Sequence, residues 1–261
     1  DAISIAAGRN HACAIVNDGA SDSLVCWGQN TFGQLGLGST DTIGDTDADL
    51  DSGELPHVDL PDRGEDIAQV ALGKNHTCVL WDDGEMACWG RGGEGQLGTG
   101  STATIGDETG EMGDDLVLVD LPTGRTATAI SLGEGMTCAI LDDASLACWG
   151  YGGNGRLGSE SDTNEGDDPS EVGDDLNIVD LGTGLSIIAM DVGVGTTCAI
   201  LEDPADTTND TMKCWGKGIH GVLGNEDAED IGSTDFSMGD YLPPVPLGSE
   251  IYPTTVEVGE S

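Results

Sequence analysis

The chain reads as all-β, a β-propeller built from four-stranded repeat blades, and three observations predict it. The tripeptide Cys-Trp-Gly recurs at Cys26-Trp27-Gly28, Cys88-Trp89-Gly90, Cys148-Trp149-Gly150 and Cys214-Trp215-Gly216, at spacings of 62, 60 and 66 residues. Seven residues after each of those cysteines begins a Gly-x-Leu-Gly turn, at Gly33, Gly95, Gly155 and Gly221. The segments between are short apolar runs bounded by Gly, Asp and Asn clusters, as brief strands and tight turns require. Four-stranded units repeated along a chain point to propeller blades.

The elements of each repeat follow one order. The first strand is apolar and ends in glycine: Ile3 to Gly8, Ile67 to Gly73, Ala129 to Gly133 and Ile188 to Gly193. The second carries Cys13, Cys78, Cys138 or Cys198, and the third carries Cys-Trp-Gly. The fourth is Val58-Asp59-Leu60, Val119-Asp120-Leu121, Val179-Asp180-Leu181 and, degenerate, Val245-Pro246-Leu247. A tryptophan at the same place in every repeat is expected to anchor one blade against the next. No stretch has a convincing amphipathic helix pattern. The repeats run over 1–65, 66–126, 127–185 and 186–253 of a single domain, 1–261, and a stub at 254–261 matches a fifth first strand. Four hairpins against five first strands predict ends that engage something: the rest of a longer precursor, or another copy joined head to tail. A compact four-bladed ring closed by its own terminal strand is the competing expectation.

Composition narrows the function. Lys and Arg number 8 against 49 Asp and Glu, a net charge of -41. Nucleic-acid binding and a polybasic membrane-surface role are both excluded, because each needs clustered cations. No run of 18 apolar residues exists, so no membrane-inserted helix is expected. The 42 glycines fit a turn-rich protein with many short strands. No signal peptide is visible, and the chain opens on Asp1, as a mature product or a piece of a longer protein would.

The pattern Gly-x-x-His-x-Cys-Ala, Asp-Gly, Cys-Trp-Gly, Gly-Gln-Leu-Gly resembles the regulator of chromosome condensation repeat, in its cysteine-containing bacterial, extracellular version. Ile105-Gly106-Asp107-Glu108 and Val119-Asp120-Leu121-Pro122-Thr123-Gly124-Arg125-Thr126-Ala127 match two further stretches of that version. The resemblance spans essentially the whole chain and implies a propeller, usually of seven blades. This sequence departs from it in repeat count, and in placing Met136 and Thr196 where the repeat histidine belongs.

The cysteines fall as four pairs, one per repeat: Cys13/Cys26, Cys78/Cys88, Cys138/Cys148 and Cys198/Cys214. With Asp82-Asp83-Gly84 as a three-residue hairpin loop, Leu80 faces Met86, Val79 faces Ala87 and Cys78 faces Cys88. Cys138 opposes Cys148 in the same register, with Ala144 in place of the turn glycine. Facing residues lie within disulfide reach, and four such bonds imply an oxidising compartment. Buried free thiols and a metal site are the rival readings; zinc spacing is not matched.

The long polar insertions hold 25 of the 49 acids, in windows 41–54, 107–115, 160–175 and 226–240, with no Lys or Arg. Such density is self-repelling unless a cation or salt relieves it. Calcium is the cofactor that this chemistry suggests, with Asp45, Asp47, Asp49, Asp107, Asp114, Asp115, Asp167, Asp168, Asp174, Asp175 and Asp240 as candidate ligands. The EF-hand pattern is not matched, and a solvated, salt-adapted acidic surface is the alternative. Asn75 and Asn209 head glycosylation sequons; Asn209, expected in a longer loop, is the better acceptor.

Catalytic constellations are absent from the pattern, and His11 and His76, being repeat-equivalent, are expected to make structural hydrogen bonds. The sequence therefore predicts a non-enzymatic extracellular or cell-surface scaffold, partnered by itself or by another extracellular protein. The alternative is a secreted binding module or inhibitor, since the family includes a secreted propeller that inhibits β-lactamases. The nucleotide-exchange activity of the nuclear family member is not expected in an acidic, disulfide-rich chain. With only 5 Trp, 3 Tyr and 2 Phe, few aromatics remain for a binding face, which favours the scaffold.

Overall fold

A computed structural model describes residues 2–17, 19, 21–46, 49, 54–204, 206–248 and 251–259, with the side chains of 206–209 outside that description. It contains four antiparallel three-stranded sheets: β1 (Ala2–Ala7), β2 (His11–Asn17) and β3 (Asp22–Gly28); β4 (Ile67–Leu72), β5 (His76–Trp81) and β6 (Met86–Gly90); β7 (Ala127–Leu132), β8 (Met136–Leu141) and β9 (Leu146–Gly150); β10 (Ser186–Val192), β11 (Thr196–Asp203) and β12 (Asp206–Gly216). Each sheet is ordered as the chain runs, a meander. The innermost strand of each carries a β-bulge near its start, which increases the local twist.

The hairpin register is the one that the turn chemistry dictates. Cys78 pairs with Cys88, Val79 with Ala87 and Leu80 with Met86, closed by Gly84 at φ 82°. Ala144 holds the equivalent place at φ 61°, a region that costs a residue with a Cβ. The four cysteine pairs are disulfides, with Cα–Cα distances of 4.1, 4.1, 4.2 and 4.1 Å.

The fourth strand differs from expectation. His57, Leu118 and Ile178 make single bridges to Val25, Ala87 and Ala147, and the N–H groups of Val58, Val119, Val179 and Val245 donate to Leu24, Met86, Leu146 and Met212. Prolines at 56, 61, 122, 244 and 246 flank the first, second and fourth of these segments, where a residue without an N–H cannot extend a ladder; the third, Ile178 to Leu181, is equally short without one. The outer strand is thus reduced to one anchoring contact. Asn209 also departs from expectation, lying within the long strand β12 rather than in a loop.

The core is serial. One apolar cluster joins Cys13, Cys26 and Leu35 of the first repeat to Val70, Leu72 and Trp89 of the second. The next joins Cys78, Cys88 and Leu97 to Ile130, Leu132 and Trp149, and a third joins Cys138, Cys148 and Leu157 to Val192 and Trp215. Each interface buries the disulfide of one sheet under the inner strand and tryptophan of the following one. Among the described residues, no helix is long and apolar enough to cross a membrane.

Candidate functional site

The contact between successive blades is one hydrogen-bonded unit used three times. The carbonyl of Gln34 accepts from Trp89 Nε1 at 3.1 Å and from Thr77 Oγ1 at 2.8 Å. Gln96 does the same for Trp149 and Thr137, and Arg156 for Trp215 and Thr197. The acceptor is the second residue of each Gly-x-Leu-Gly turn, whose glycines at positive φ fold its carbonyl toward the next blade.

Two histidines complete the unit in the first two interfaces. His11 Nε2 lies 2.9 Å from Thr77 Oγ1, and His76 Nε2 lies 3.0 Å from Thr137 Oγ1. Each threonine hydroxyl already spends its proton on a carbonyl, so it accepts from Nε2–H, which fixes the tautomer. Nδ1 of both rings is buried without a hydrogen-bond partner. Burial holds His11 down at about 4 and His76 down at about 3, the second assisted by the neighbouring His11. These rings are neutral structural donors at physiological pH, as their repeat placement predicts.

The acidic insertions are organised around a different residue than expected. Asp49 Oδ2 accepts from the N–H groups of Gly44, Asp45 and Thr46 at 3.0, 3.2 and 3.0 Å. Glu111 Oε2 accepts from Gly106 and Glu108, and Glu171 Oε2 from Gly166, Asp167 and Asp168. In these three loops one carboxylate gathers the backbone donors of its own turn, whereas in the fourth the Ser237 hydroxyl takes that place and accepts from Gly232. Asp49 was a candidate ligand; Glu111 and Glu171 were not, although an acid five residues after the loop glycine is a readable signal.

The other candidates are dispersed. Asp168 caps a 3-10 turn by accepting from Ser170. Asp174 accepts from Thr123 N and Oγ1, and Asp240 likewise from Thr183, tying each loop to the preceding blade. Hydrogen bonds to these backbones hold the Asp49, Asp168 and Asp240 carboxyls below their usual range. Burial, then the nearby Glu111 charge, pushes Asp107 up. Asp45 is exposed, as are Asp114, Asp115 and Asp175, while Asp167 is half-buried; Asp47 lies outside the described residues. Among the described residues, no three His, Cys, Asp or Glu side chains are grouped as a metal ion would require.

The interblade unit is unmatched at both ends. Trp27 is half-buried, whereas Trp89, Trp149 and Trp215 are fully buried, each bonded to the preceding blade as a blade anchor is expected to be. Ile5 is 70% exposed where its equivalents Val70 and Ile130 are 5% and 3%. At the other end Val222, which holds the acceptor place, is exposed. One further feature escaped the sequence reading: Phe236, at φ 62°, and Tyr241 are 71% and 67% exposed and stack edge to face at 5.5 Å.

Comparison with known proteins places the fold and the repeat. Profiles described as "Regulator of chromosome condensation (RCC1) repeat" match residues 2–34 and 67–96, and residues 22–80. The human probable E3 ubiquitin-protein ligase HERC4 is 33% identical over 161 residues, covering 61% of this chain and 13% of HERC4. The dog X-linked retinitis pigmentosa GTPase regulator is 29% identical over 161 residues, 61% of this chain and 14% of that protein. The chain thus spans a small part of these relatives. Yeast RCC1 (Prp20), solved bound to Kap60, superposes with a TM-score of 0.64 at 18% identity, covering 94% of this chain and 48% of that one. Human WBSCR16 gives a TM-score of 0.58 at 17% identity, over 98% of this chain and 70% of that one. The chain thus carries RCC1 repeats, matched over residues 2–96, and has the propeller architecture of RCC1.

Proposed function

We propose that this chain is a non-catalytic extracellular scaffold, stiffened by its disulfides and working through protein–protein contact. The observation that supports this reading is one buried disulfide in every blade, each packed at or near an interblade contact. Four disulfides suit an oxidising environment outside the cytosol. The similar yeast RCC1 (Prp20) was solved bound to Kap60, and its binding to Gsp1p and histones is described, so protein binding is a use to which this architecture is put.

The test is to isolate the chain without reductant from the cells that make it. Material outside the cytosol, with all eight cysteines oxidised and the chain in a larger complex, supports the reading. Cytosolic material with free thiols overturns it. A second reading, a secreted binding module or inhibitor, is favoured by the Phe236–Tyr241 pair, since exposed aromatics on a strained backbone are the usual core of a specific contact. That reading requires Phe236→Gly to abolish partner binding while the fold is kept.

A further inference from the structure

On the reading of Phe236 and Tyr241 as a binding site, we propose that their two rings and the Asp235 carboxylate receive an arginine side chain from a basic segment of a partner protein.

The pair occupies two places that recur in the second, third and fourth insertions. Each of these insertions enters by a bridge to the glycine of its Cys-Trp-Gly: Ile105 to Gly90, Glu165 to Gly150 and Ile231 to Gly216. Five residues on stand Gly110, Ser170 and Phe236. Ten residues on stand Asp115, Asp175 and Tyr241, each the last residue of a short 3-10 turn. Gly110, Ser170, Asp115 and Asp175 are all exposed, although a further blade follows each of them. A Cβ on Gly110 would meet nothing within 4 Å. The outward position of Phe236 and Tyr241 is therefore a property of the insertion, the same in repeats that have a following blade.

Stability gives no reason for rings at these places. Phe236 adopts φ 62°, a region that a phenylalanine enters at a cost, and its ring is 71% exposed, so burial does not offset that cost. Tyr241 is 67% exposed where the second and third repeats carry an aspartate. The rings stack edge to face at 5.5 Å, an arrangement that keeps ring faces open to a third group. The backbone beneath them is held. Glu160 Oε1 accepts from the N–H groups of Ser237 and Met238 at 2.9 and 3.2 Å, and Lys213 donates to the Gly239 carbonyl at 2.9 Å. Rings presented on a fixed turn reduce the ordering cost of binding.

Charge chooses the occupant. Asp235, next to Phe236, is exposed, and its carboxylate makes no hydrogen bond or ion pair among the described residues. The neighbouring carboxylates are already engaged, Asp240 with Thr183 N and Oγ1 and Glu160 with the two N–H groups above. Lys213, beneath the turn, is buried and donates to two carbonyls, so it does not neutralise the surface. The site offers aromatic faces, one free negative charge and no exposed cation of its own. A guanidinium meets both features at once: its plane stacks on a ring while its N–H fork reaches the carboxylate. An ammonium supplies only a point charge, an apolar side chain leaves Asp235 uncompensated, and an anion is repelled. A second copy of the chain is a poor occupant, because 8 cations against 49 acids make two copies repel.

Fluorescence anisotropy with a short labelled peptide, two arginines among glycines and serines, tests the proposal at physiological salt against the same peptide with citrulline for arginine. We expect the arginine peptide to bind and the uncharged one not to. Phe236→Gly and Tyr241→Asp install the residues that the second repeat carries at these places, so the fold is kept, and the first also removes the cost of φ 62°. Each should weaken the arginine peptide by about two- to fivefold, the contribution of an exposed cation–π contact. Asp235→Asn should weaken it by a similar factor. Tyr241→Asp separates a site from a field: it adds a negative charge, so attraction by net charge alone tightens binding, whereas loss of the ring weakens it. Unchanged or tighter binding to Tyr241→Asp overturns the proposal, as does equal binding of the two peptides. Failure of the arginine peptide leaves the binding-site reading to its own test, the loss of the native complex in Phe236→Gly.

Discussion

Acidification should loosen the first two interblade contacts, and one substitution isolates the effect. His11 and His76 are buried, neutral and held near 4 and 3, against 6.5 for an exposed ring. The unfolded chain therefore binds a proton at each ring below pH 6.5 while the folded chain does not, so stability falls as pH drops through 6.5 and levels off at the folded values. Linkage places the loss at about 3 kcal/mol per ring at pH 4, with a slope approaching 1.4 kcal/mol per pH unit between the two limits. Carboxylates titrate in the same window, so the wild-type curve alone decides nothing. His76→Met separates them. The equivalent place in the third repeat is Met136, fully buried under the same kind of interface, so a methionine fits. Losing the bond to Thr137 lowers stability by a pH-independent amount, and the carboxylates are common to both proteins. Urea unfolding with disulfides intact, at pH 7, 6, 5 and 4, should show the two stability curves converging by about 3 kcal/mol toward pH 4. Parallel curves would refute the assignment of His76 as a buried neutral donor.

Three further outcomes are expected. Ala144→Gly should stabilise the third hairpin by about 0.5–1 kcal/mol, because φ 61° costs nothing to glycine, and a lower urea midpoint would contradict the turn assignment. Under mild reductant, mass mapping should find Cys198–Cys214 opened first. Its sulfurs are covered by the stub rather than by a following blade, and its cysteines are 6% and 4% exposed where the other six are fully buried or nearly so; each bond lost should cost about 3 kcal/mol for loops of this length. Thermal melts in calcium and in chelator at fixed ionic strength settle the cation proposal for the acidic loops: a calcium-specific rise supports binding, whereas an equal rise with sodium chloride alone assigns the effect to screening.

The hairpins were legible because two constraints coincide in them. Period-2 burial and the three-residue loop both require Cys78 opposite Cys88, and a slip of one residue would turn the whole strand over. The outer strand was less legible: Val58-Asp59-Leu60 has strand composition, but ladder length depends on N–H groups that the flanking prolines interrupt. Lys213 had no readable signal at all. It is buried and donates to the carbonyls of Leu181 and Gly239, filling the place of Ala87 and Ala147, and only the tertiary approach of two loops creates that need. The asymmetry of the tryptophans was equally hidden, since Trp27 differs from Trp89 only in what lies beside it.

The acidic loops show why charge density is a poor guide to ligand chemistry. A carboxylate needs compensating positive charge, and the sequence contains none within these windows. The fold supplies it from the backbone, through two or three N–H groups converging on Asp49, Glu111 or Glu171 after a glycine at positive φ has turned them inward. The remaining acids are not relieved in this way: burial and then the same Glu171 charge push Glu165 up, as burial and Glu111 push Asp107 up. Gly106 and Gly166 of these loops abut the carbonyls of Gly33 and Gly95 in the preceding blade, so the unrelieved repulsion is concentrated at the interblade contacts. Added salt should then tighten the packing of blade on blade within the chain, without any ion occupying a site.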